Sequence, residues 1–231
     1  MTERGLVKSR TLAQNLIKEG NVHINGRICT KASEVVEDRD DIEITGEMPK
    51  YVSRGGLKLE KAVSLWEIDL EGAVCLDVGA STGGFTDCML QKGAKRVYAV
   101  DVGTSQLDPK LKDDSRVISL EQTDIRKAEI PEKADFISID VSFISLKLIL
   151  PYIRSLWSEK GRCVALIKPQ FEAGKKYLGK NGVIRDKKLQ QSIVEDIKQF
   201  CITSGFTVIG TTESAITGGD GNREFLIYLS N

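Results

Sequence analysis

The hydrophobic pattern of the chain predicts alternating strands and helices over most of its length. Five short apolar runs, typical of buried strands, lie at residues 74–78, 96–102, 117–120, 134–141 and 163–167. Two more runs, at 206–211 and 224–229, flank a Gly-Gly-Asp-Gly-Asn segment, so we expect them to pair as an antiparallel hairpin. The alternation predicts an α/β fold around one open sheet.

Helical spacing appears between these runs. Ser53 is expected to cap a helix that reaches residue 66 and buries Leu57, Ala62, Val63 and Trp66 on one face. Further helices are expected at residues 85–90, 146–157 and 186–204.

The first 47 residues have a separate pattern that predicts a small α+β domain. Ser9 can cap a helix at 10–19, and Asn25-Gly26 is typical of a type I′ turn between two short strands. A last strand is expected at 41–45. We therefore predict a domain at 1–47, a linker at 48–52 and a larger domain at 53–231.

A glycine-rich turn follows the strand at 74–78 and predicts a small-molecule site. Gly79, Gly83 and Gly84 allow the backbone to approach a ligand, and the first N–H groups of the next helix are free donors. Ala80 and Ser81 follow Gly79, so the G-x-G-x-x-G spacing of pyrophosphate-binding sites is absent.

Two later acids favour a nucleoside ligand without a pyrophosphate. Asp101 ends the next strand, where a carboxylate can accept both ribose hydroxyls, and Asp124 follows the third strand within reach of an adenine. S-adenosylmethionine fits these requirements, although an ordinary strand-to-helix turn remains the alternative. The expected cofactor-binding residues are Asp77, Gly79, Ser81, Thr82, Gly83, Phe85, Asp101, Asp124 and Asp140.

Charged residues also follow two later strands. Asp140 ends the run at 134–141, and Lys168 follows the run at 163–167, so both should reach the ligand-binding edge of the sheet. Lys168 is a candidate general base, and Lys58 is placed near the glycine turn by the segment before the first strand. Glu224 opens the last strand, where it could equally be a charge that protects an edge.

Composition limits the remaining possibilities. Lys plus Arg and Asp plus Glu number 33 each, but basic residues concentrate in 1–33 and 168–188, which suggests a polyanionic partner touched in two places. The five cysteines are scattered singly and the one histidine cannot build a metal site alone, so we expect no metal. No apolar run could span a bilayer, and we expect a cytoplasmic protein.

The N-terminal motif GLVKSRTLAQNLIKEGNVHING resembles the S4 RNA-binding module. Little chain precedes this motif, so its first helix is expected to be truncated. Lys8, Arg10 and Lys18 are expected near one end of the helix, which suits phosphate contacts more than base recognition. The expected RNA-binding residues are Lys8, Arg10, Lys18, Arg27 and Arg54.

Four charged residues in their sequence contexts resemble the Lys-Asp-Lys-Glu tetrad of FtsJ-type 2′-O-ribose methyltransferases. They are Lys58, Asp140, Lys168 and Glu224. With the N-terminal motif, nearly the whole chain resembles the TlyA, or hemolysin A, family. The resemblance implies a Rossmann-like seven-stranded sheet with an antiparallel last strand, S-adenosylmethionine as methyl donor, and cytidine ribose in ribosomal RNA as acceptor. Lys168 would be the general base, tuned by Lys58 and Asp140, while Glu224 and Lys58 would hold the ribose and phosphate.

Two other functions remain open at this stage. The older family name suggests a membrane-acting hemolysin, which would need a spanning run or a strongly amphipathic basic helix. An RNA-binding protein with a vestigial methyltransferase domain is the other alternative. The sequence leaves the oligomeric state and the ribosomal subunit open.

Overall fold

The computed structural model describes residues 1–7, 10–45, 49–174, 177, 179, 182–219 and 221–231. The chain forms two compact units, Met1–Lys50 and Tyr51–Asn231. The division falls inside the predicted linker at 48–52. Lys8 and Ser9, the expected RNA contact and helix cap, lie outside the described residues.

The N-terminal unit combines one helix with a three-stranded antiparallel sheet. Its elements are α1 (Arg10–Lys18), β1 (Val22–Ile24), β2 (Arg27–Ile28) and β3 (Ile42–Ile44), with strand order β2-β1-β3. Asn25 and Gly26 both have positive φ, 51° and 75°, which confirms the predicted type I′ turn. Leu16 of α1 packs with Val22 and Ile24 in a small apolar core.

Two basic residues expected near one end of α1 lie at its opposite ends. Arg10 is the first residue of the helix and Lys18 the last, so the axis between them is about 12 Å long. The expectation of a shared end was therefore wrong. Before α1, residues 2–5 form turns.

The larger unit is built on a seven-stranded sheet. Its strands are β4 (Val74–Val78), β5 (Arg96–Val100), β6 (Val117–Leu120), β7 (Ala134–Ile139), β8 (Trp157–Ile167), β9 (Thr207–Glu213) and β10 (Phe225–Ser230). Their order is β6-β5-β4-β7-β8-β10-β9. The pairs from β6 to β8 are parallel, and β10 runs antiparallel to both β8 and β9. This confirms the predicted sheet with an antiparallel last strand.

Helices cover both faces of this sheet. They are α2 (Gly55–Leu65), α3 (Gly84–Gln91), α4 (Pro109–Lys112), α5 (Leu150–Ile153), α6 (Pro169–Glu172) and α7 (Lys187–Thr203). Because side chains alternate along a strand, Leu76 of β4 belongs to the apolar core on one face, which also includes Ile197 of α7. Cys75 packs with Leu59 of α2 and Met89 of α3 on the other.

The start and buried face of α2 differ from the prediction. The cap position is Arg54 rather than Ser53, and no side chain caps it. Lys58 and Leu59 are buried while Leu57 is 37% exposed. The difference arises because Lys58 forms ion pairs inside the protein, which turns the neighbouring Leu57 outward.

The helix predicted at 146–157 is broken into short pieces. Turns of 3₁₀ helix at Leu146–Leu148 and Arg154–Leu156 flank α5, in which Pro151 occupies the first turn. Proline has no backbone N–H and is favoured only at such starts, so it divides the helix. β8 then begins at Trp157, six residues earlier than predicted. The predicted helix at 186–204 is confirmed as α7, whose N-terminus is capped by the Asp186 carboxylate.

Candidate active site

The glycine turn after β4 brings two strand ends into close contact. Gly79 has a φ of 83°, and a Cβ atom there would lie only 2.5 Å from the carbonyl oxygen of Asp140. Its own N–H donates to the Val100 carbonyl at 2.9 Å. Only glycine fits this position, because a side chain would both strain the backbone and separate β4 from β7.

A cavity of about 450 Å³, here called the strand-end cavity, lies beside this turn. Its polar wall includes Gly79, Ser81, Asp101, Asp124 and Asp140. Five of the predicted cofactor-binding residues therefore line one space. Its size and mixed lining are typical of a small-molecule site.

Two acids of this cavity are held in different ways. The Asp101 carboxylate accepts from the backbone N–H groups of Ser81 and Gly103, each at 2.7 Å. The hydrogen bonds and charge of Arg126 lower the pKa of Asp124 to about 2. Both acids thus present fixed carboxylates, although Asp124 already has a cationic partner.

A second cavity of about 240 Å³, here called the tetrad cavity, adjoins the first. It is lined by Thr82 and Phe85, and also by Lys58, Asp140 and Lys168. The two cavities share Gly79, Ser81, Asp140 and Ser142. A ligand in the strand-end cavity would therefore lie next to the lysines.

Two predicted cofactor residues, Asp77 and Gly83, line neither cavity. Asp77 is fully buried below the turn, where the hydroxyls of Thr86 and Ser138 donate to its carboxylate at 2.6 and 2.9 Å. Burial raises the pKa of Asp77 to about 6. Gly83 is the cap residue just before α3, and a Cβ atom there would clash with Leu111. Asp77 and Gly83 therefore contribute to the structure of the glycine turn and do not contact a ligand in these cavities.

The four predicted catalytic residues form a continuous row, which we call the tetrad: Lys58, Asp140, Lys168 and Glu224. One Asp140 oxygen lies 2.6 Å from the Lys168 ammonium and the other 3.8 Å from that of Lys58. Lys58 lies 2.7 Å from the Glu224 carboxylate. Both lysines are 8% exposed and Glu224 is 3% exposed, so the two positive and two negative charges balance within a nearly buried row.

The alternative reading of Glu224 as an edge charge is wrong. β10 lies between β8 and β9 in the sheet, and the Glu224 side chain just before it points into the protein. Its buried carboxylate instead holds Lys58.

Sequence reasoning missed the loop that follows Asp140. Lys168 donates to the hydroxyl of Ser142 at 2.9 Å. Phe143 has a φ of 63°, is 90% exposed and lies 4.8 Å from the ring of Phe171. Ser142 and Phe143 line the strand-end cavity, but nothing in the local hydrophobic pattern distinguishes them from ordinary loop residues.

Of the predicted RNA-binding residues that the structure describes, three belong to the N-terminal unit and Arg54 belongs to the larger unit. Arg10, Lys18 and Arg27 are exposed at separate places on the N-terminal unit, and Arg27 lies 3.1 Å from Glu34. Arg54 is exposed at the start of α2, beside the cavity-lining residues Ser53 and Gly55. These side chains remain predictions as RNA contacts.

The described part of the chain contains no helix long and apolar enough to cross a membrane. Among the same residues, no group of three or more His, Cys, Asp or Glu side chains could hold a metal ion.

The chain belongs to the FtsJ-like methyltransferases, whose family model matches residues 51–231. A model of the S4 domain matches residues 1–42. The predicted relationship to the TlyA and hemolysin A proteins is thereby confirmed, because similar proteins with those names extend over nearly the whole chain.

Three similar proteins illustrate this relationship. Hemolysin A of Brachyspira hyodysenteriae is 43% identical over 97% of this chain and 95% of its own length. The 16S/23S rRNA (cytidine-2′-O)-methyltransferase TlyA of Mycobacterium tuberculosis is 37% identical over 99% of this chain and 87% of its own length. A solved structure, described as a candidate hemolysin of Streptococcus thermophilus, has 46% identity and a TM-score of 0.80, covering 98% of this chain and 84% of that one.

Proposed function

We propose that this protein transfers the methyl group of S-adenosylmethionine to the 2′-hydroxyl of a cytidine ribose in ribosomal RNA. The observation that carries the proposal is the buried tetrad beside a cavity whose carboxylates suit a nucleoside. The methyltransferase family fixes the type of reaction.

The strand-end cavity fits the proposed cofactor. Asp101 offers a fixed carboxylate to a ribose diol, and Gly79 forms part of the cavity wall without a side chain that would project from it. Asp140 belongs to both cavities, so its carboxylate can face a positively charged sulfonium. When bound, S-adenosylmethionine would supply an electrophilic methyl group.

The tetrad supplies what a ribose hydroxyl needs in order to react. A 2′-hydroxyl is a weak nucleophile, so it must be held in line with the methyl group and lose its proton during transfer. We assign the proton of the hydroxyl to the Lys168 amine. The resting Lys168 ammonium must first release a proton to solvent, so that the amine is uncharged when the hydroxyl attacks. Asp140, at 2.6 Å, then stabilises the ammonium that forms.

Lys58 and Glu224 position the acceptor and do not take part in the proton transfer. Their 2.7 Å ion pair fixes the Lys58 ammonium at the wall of the tetrad cavity. From there it can hold a ribose or phosphate oxygen of the acceptor. Because Glu224 and Asp140 both face Lys58, its charge is compensated before RNA arrives.

The acceptor follows from the relatives and from the N-terminal unit. The S4 domain is a reason to expect RNA, and the TlyA relative is named for cytidine 2′-O-methylation of 16S and 23S rRNA. Ribosomal RNA of this kind is cytoplasmic in bacteria, where we propose that the protein acts.

Methylation of purified ribosomal subunits tests the proposal. The protein is incubated with methyl-tritiated S-adenosylmethionine and undermethylated small or large subunits, and the RNA is then hydrolysed in alkali. A 2′-O-methyl group blocks cleavage of the adjacent phosphodiester, so the label should remain in alkali-resistant dinucleotides that contain cytidine. Label on a base or on protein, or no incorporation with either subunit, would contradict the assignment; Lys168→Ala is the matched inactive control.

A further inference from the structure

Two segments that carry tetrad residues are joined by more than the tetrad itself. The loop at 140–145 follows β7, and the segment at 168–172 follows β8 and includes α6. They meet through the ion pair between Lys168 and Asp140, the hydrogen bond from Lys168 to Ser142 and the ring contact between Phe143 and Phe171. A fourth connection lies farther from the cavities and is made by Glu172.

Glu172 uses both carboxylate oxygens on the end of the loop. One accepts from the Ser145 hydroxyl at 2.5 Å, and the other accepts from the backbone N–H of Leu146 at 2.9 Å. Hydrogen bonds to an ionised carboxylate are among the stronger ones in proteins. Burial raises the pKa of Glu172, so these two donors offset part of the cost of keeping the carboxylate away from water.

The loop needs such an anchor because its centre is strained and poorly packed. Phe143 adopts a positive φ that bulky side chains disfavour, and 90% of its surface is exposed. Burial of its own side chain therefore cannot hold the loop in this conformation. Val141 and Ile144 pack against the apolar core on either side of Phe143. The polar contacts at the two ends of the loop add to this packing, through Asp140 at one end and Ser145 with Leu146 at the other.

We propose that Glu172 is a positioning residue for methyl transfer, which anchors the strained loop and so holds Ser142 and Phe143 against Lys168 and Phe171. This inference rests on the proposed function only for its kinetic consequence. The anchoring itself is a property of the folded protein. Glu172 has no contact with either cavity and does not handle the proton.

Single-turnover rates at saturating RNA and S-adenosylmethionine test the kinetic consequence. A misplacement of about 1 Å can cost about 100-fold in rate, so we expect Glu172→Ala to slow transfer by roughly 10- to 100-fold. Glu172→Gln should fall between wild type and Glu172→Ala, since an amide retains one oxygen acceptor. Ser145→Ala should lose less, and the double variant Ser145→Ala/Glu172→Ala should be no slower than Glu172→Ala alone.

The control is Glu195→Gln, which removes an exposed carboxylate that pairs with Lys198 on α7. It should keep the wild-type rate. All rates are measured well below the unfolding midpoint of each variant, so that a loss of folded protein does not appear as a loss of rate. A wild-type rate in Glu172→Ala would overturn the positioning role.

A second measurement does not depend on activity. In protein labelled with 4-fluorophenylalanine, the ¹⁹F resonance of Phe143 is assigned by its disappearance in Phe143→Leu. The Phe171 ring lies 4.8 Å from that of Phe143, so we expect this resonance to lose the ring-current shift from Phe171 in Glu172→Ala and to stay unchanged in Glu195→Gln. An unchanged resonance in Glu172→Ala would refute the anchor. If the wild type methylates no RNA but the resonance moves as expected, the proposed function fails while the anchor stands.

Discussion

Lys168 and Asp140 form an ion pair of 2.6 Å although they follow different strands. Ile139 is paired with Ala165 in the parallel ladder of β7 and β8, so the sheet fixes how closely the two residues can lie. The position of Lys168 thus depends mainly on backbone pairing. Substitution of its side chain should therefore test its chemistry rather than its placement.

Replacing Lys168 distinguishes a general base from an electrostatic clamp. A positioned base contributes about two to four orders of magnitude, so Lys168→Ala should lower the single-turnover methylation rate by roughly that factor. Lys168→Arg should fail nearly as badly, because a guanidinium keeps the charge but does not deprotonate. Cofactor and RNA binding should change little in both variants. Substantial activity in the arginine variant would leave Lys168 as a clamp for phosphate or ribose.

Asp101 should contribute to cofactor affinity. Losing hydrogen bonds to a charged group costs about 2–3 kcal/mol, so Asp101→Ala should weaken S-adenosylmethionine binding by no more than about that amount in calorimetry. The carboxylate also accepts hydrogen bonds from the backbone N–H groups of Ser81 and Gly103. Because the substitution removes these bonds, thermal unfolding must show that the variant keeps its fold. An unchanged dissociation constant in a folded variant would remove Asp101 from the cofactor site.

The N-terminal unit should provide much of the RNA affinity. A fragment of residues 50–231 should bind S-adenosylmethionine as the full chain does but bind ribosomal RNA more weakly. Its affinity should also depend less steeply on salt, because fewer phosphates are neutralised. Lys95→Ala is the control, since this exposed lysine precedes β5, at the edge of the sheet opposite the cavities. Equal affinity and salt dependence in fragment and full chain would show that the anchor lies elsewhere.

Asp77 should make the free energy of unfolding depend on pH. Its pKa is raised to about 6 in the folded protein, mainly by burial, and is about 3.9 when unfolded. The folded state therefore favours the protonated acid, and the stabilisation present below about pH 4 is lost as the pH rises through about 6. Two pKa units correspond to roughly 3 kcal/mol.

Denaturant unfolding of wild type and Asp77→Asn between pH 4 and 7 measures the contribution of Asp77 to the free energy of unfolding. The free energy of unfolding of the wild type should decline by about 2 kcal/mol relative to the variant over that range, because the unfolded acid is already partly ionised at pH 4. Comparison with the variant removes the contributions of other titrating groups. Parallel curves for the two proteins would show that Asp77 keeps an ordinary pKa in the fold.

The sequence predicted correctly which residues lie at the ends of strands. The prediction of site residues failed where it depends on the direction in which a side chain points. Asp140 and Lys168 could be placed together because parallel strands end at one edge of a sheet. Asp77 also lies near a strand end, but it falls on the face that packs against α3, and local sequence does not reveal that face. The positive φ of Phe143 depends on contacts with residues distant in sequence.

The helix face of α2 shows a related limit. Periodicity placed Leu57 inside because it is apolar, yet the buried position belongs to Lys58. That lysine is held by Glu224, more than 160 residues later in the chain. No window of local sequence contains this partner, so only the assembled sheet can identify the buried side of the helix.

The closeness of Gly79 to Asp140 has a consequence for redesign of the donor specificity. With only 2.5 Å between a hypothetical Cβ and the Asp140 carbonyl oxygen, this wall has no space to recede or to accept a bulkier residue. The strand-end cavity is also lined by Val102, which is 74% exposed, and by Gln106. A synthetic donor with an enlarged nucleoside would therefore have to be accommodated by trimming the Val102 side, while the Gly79 side is left as it is.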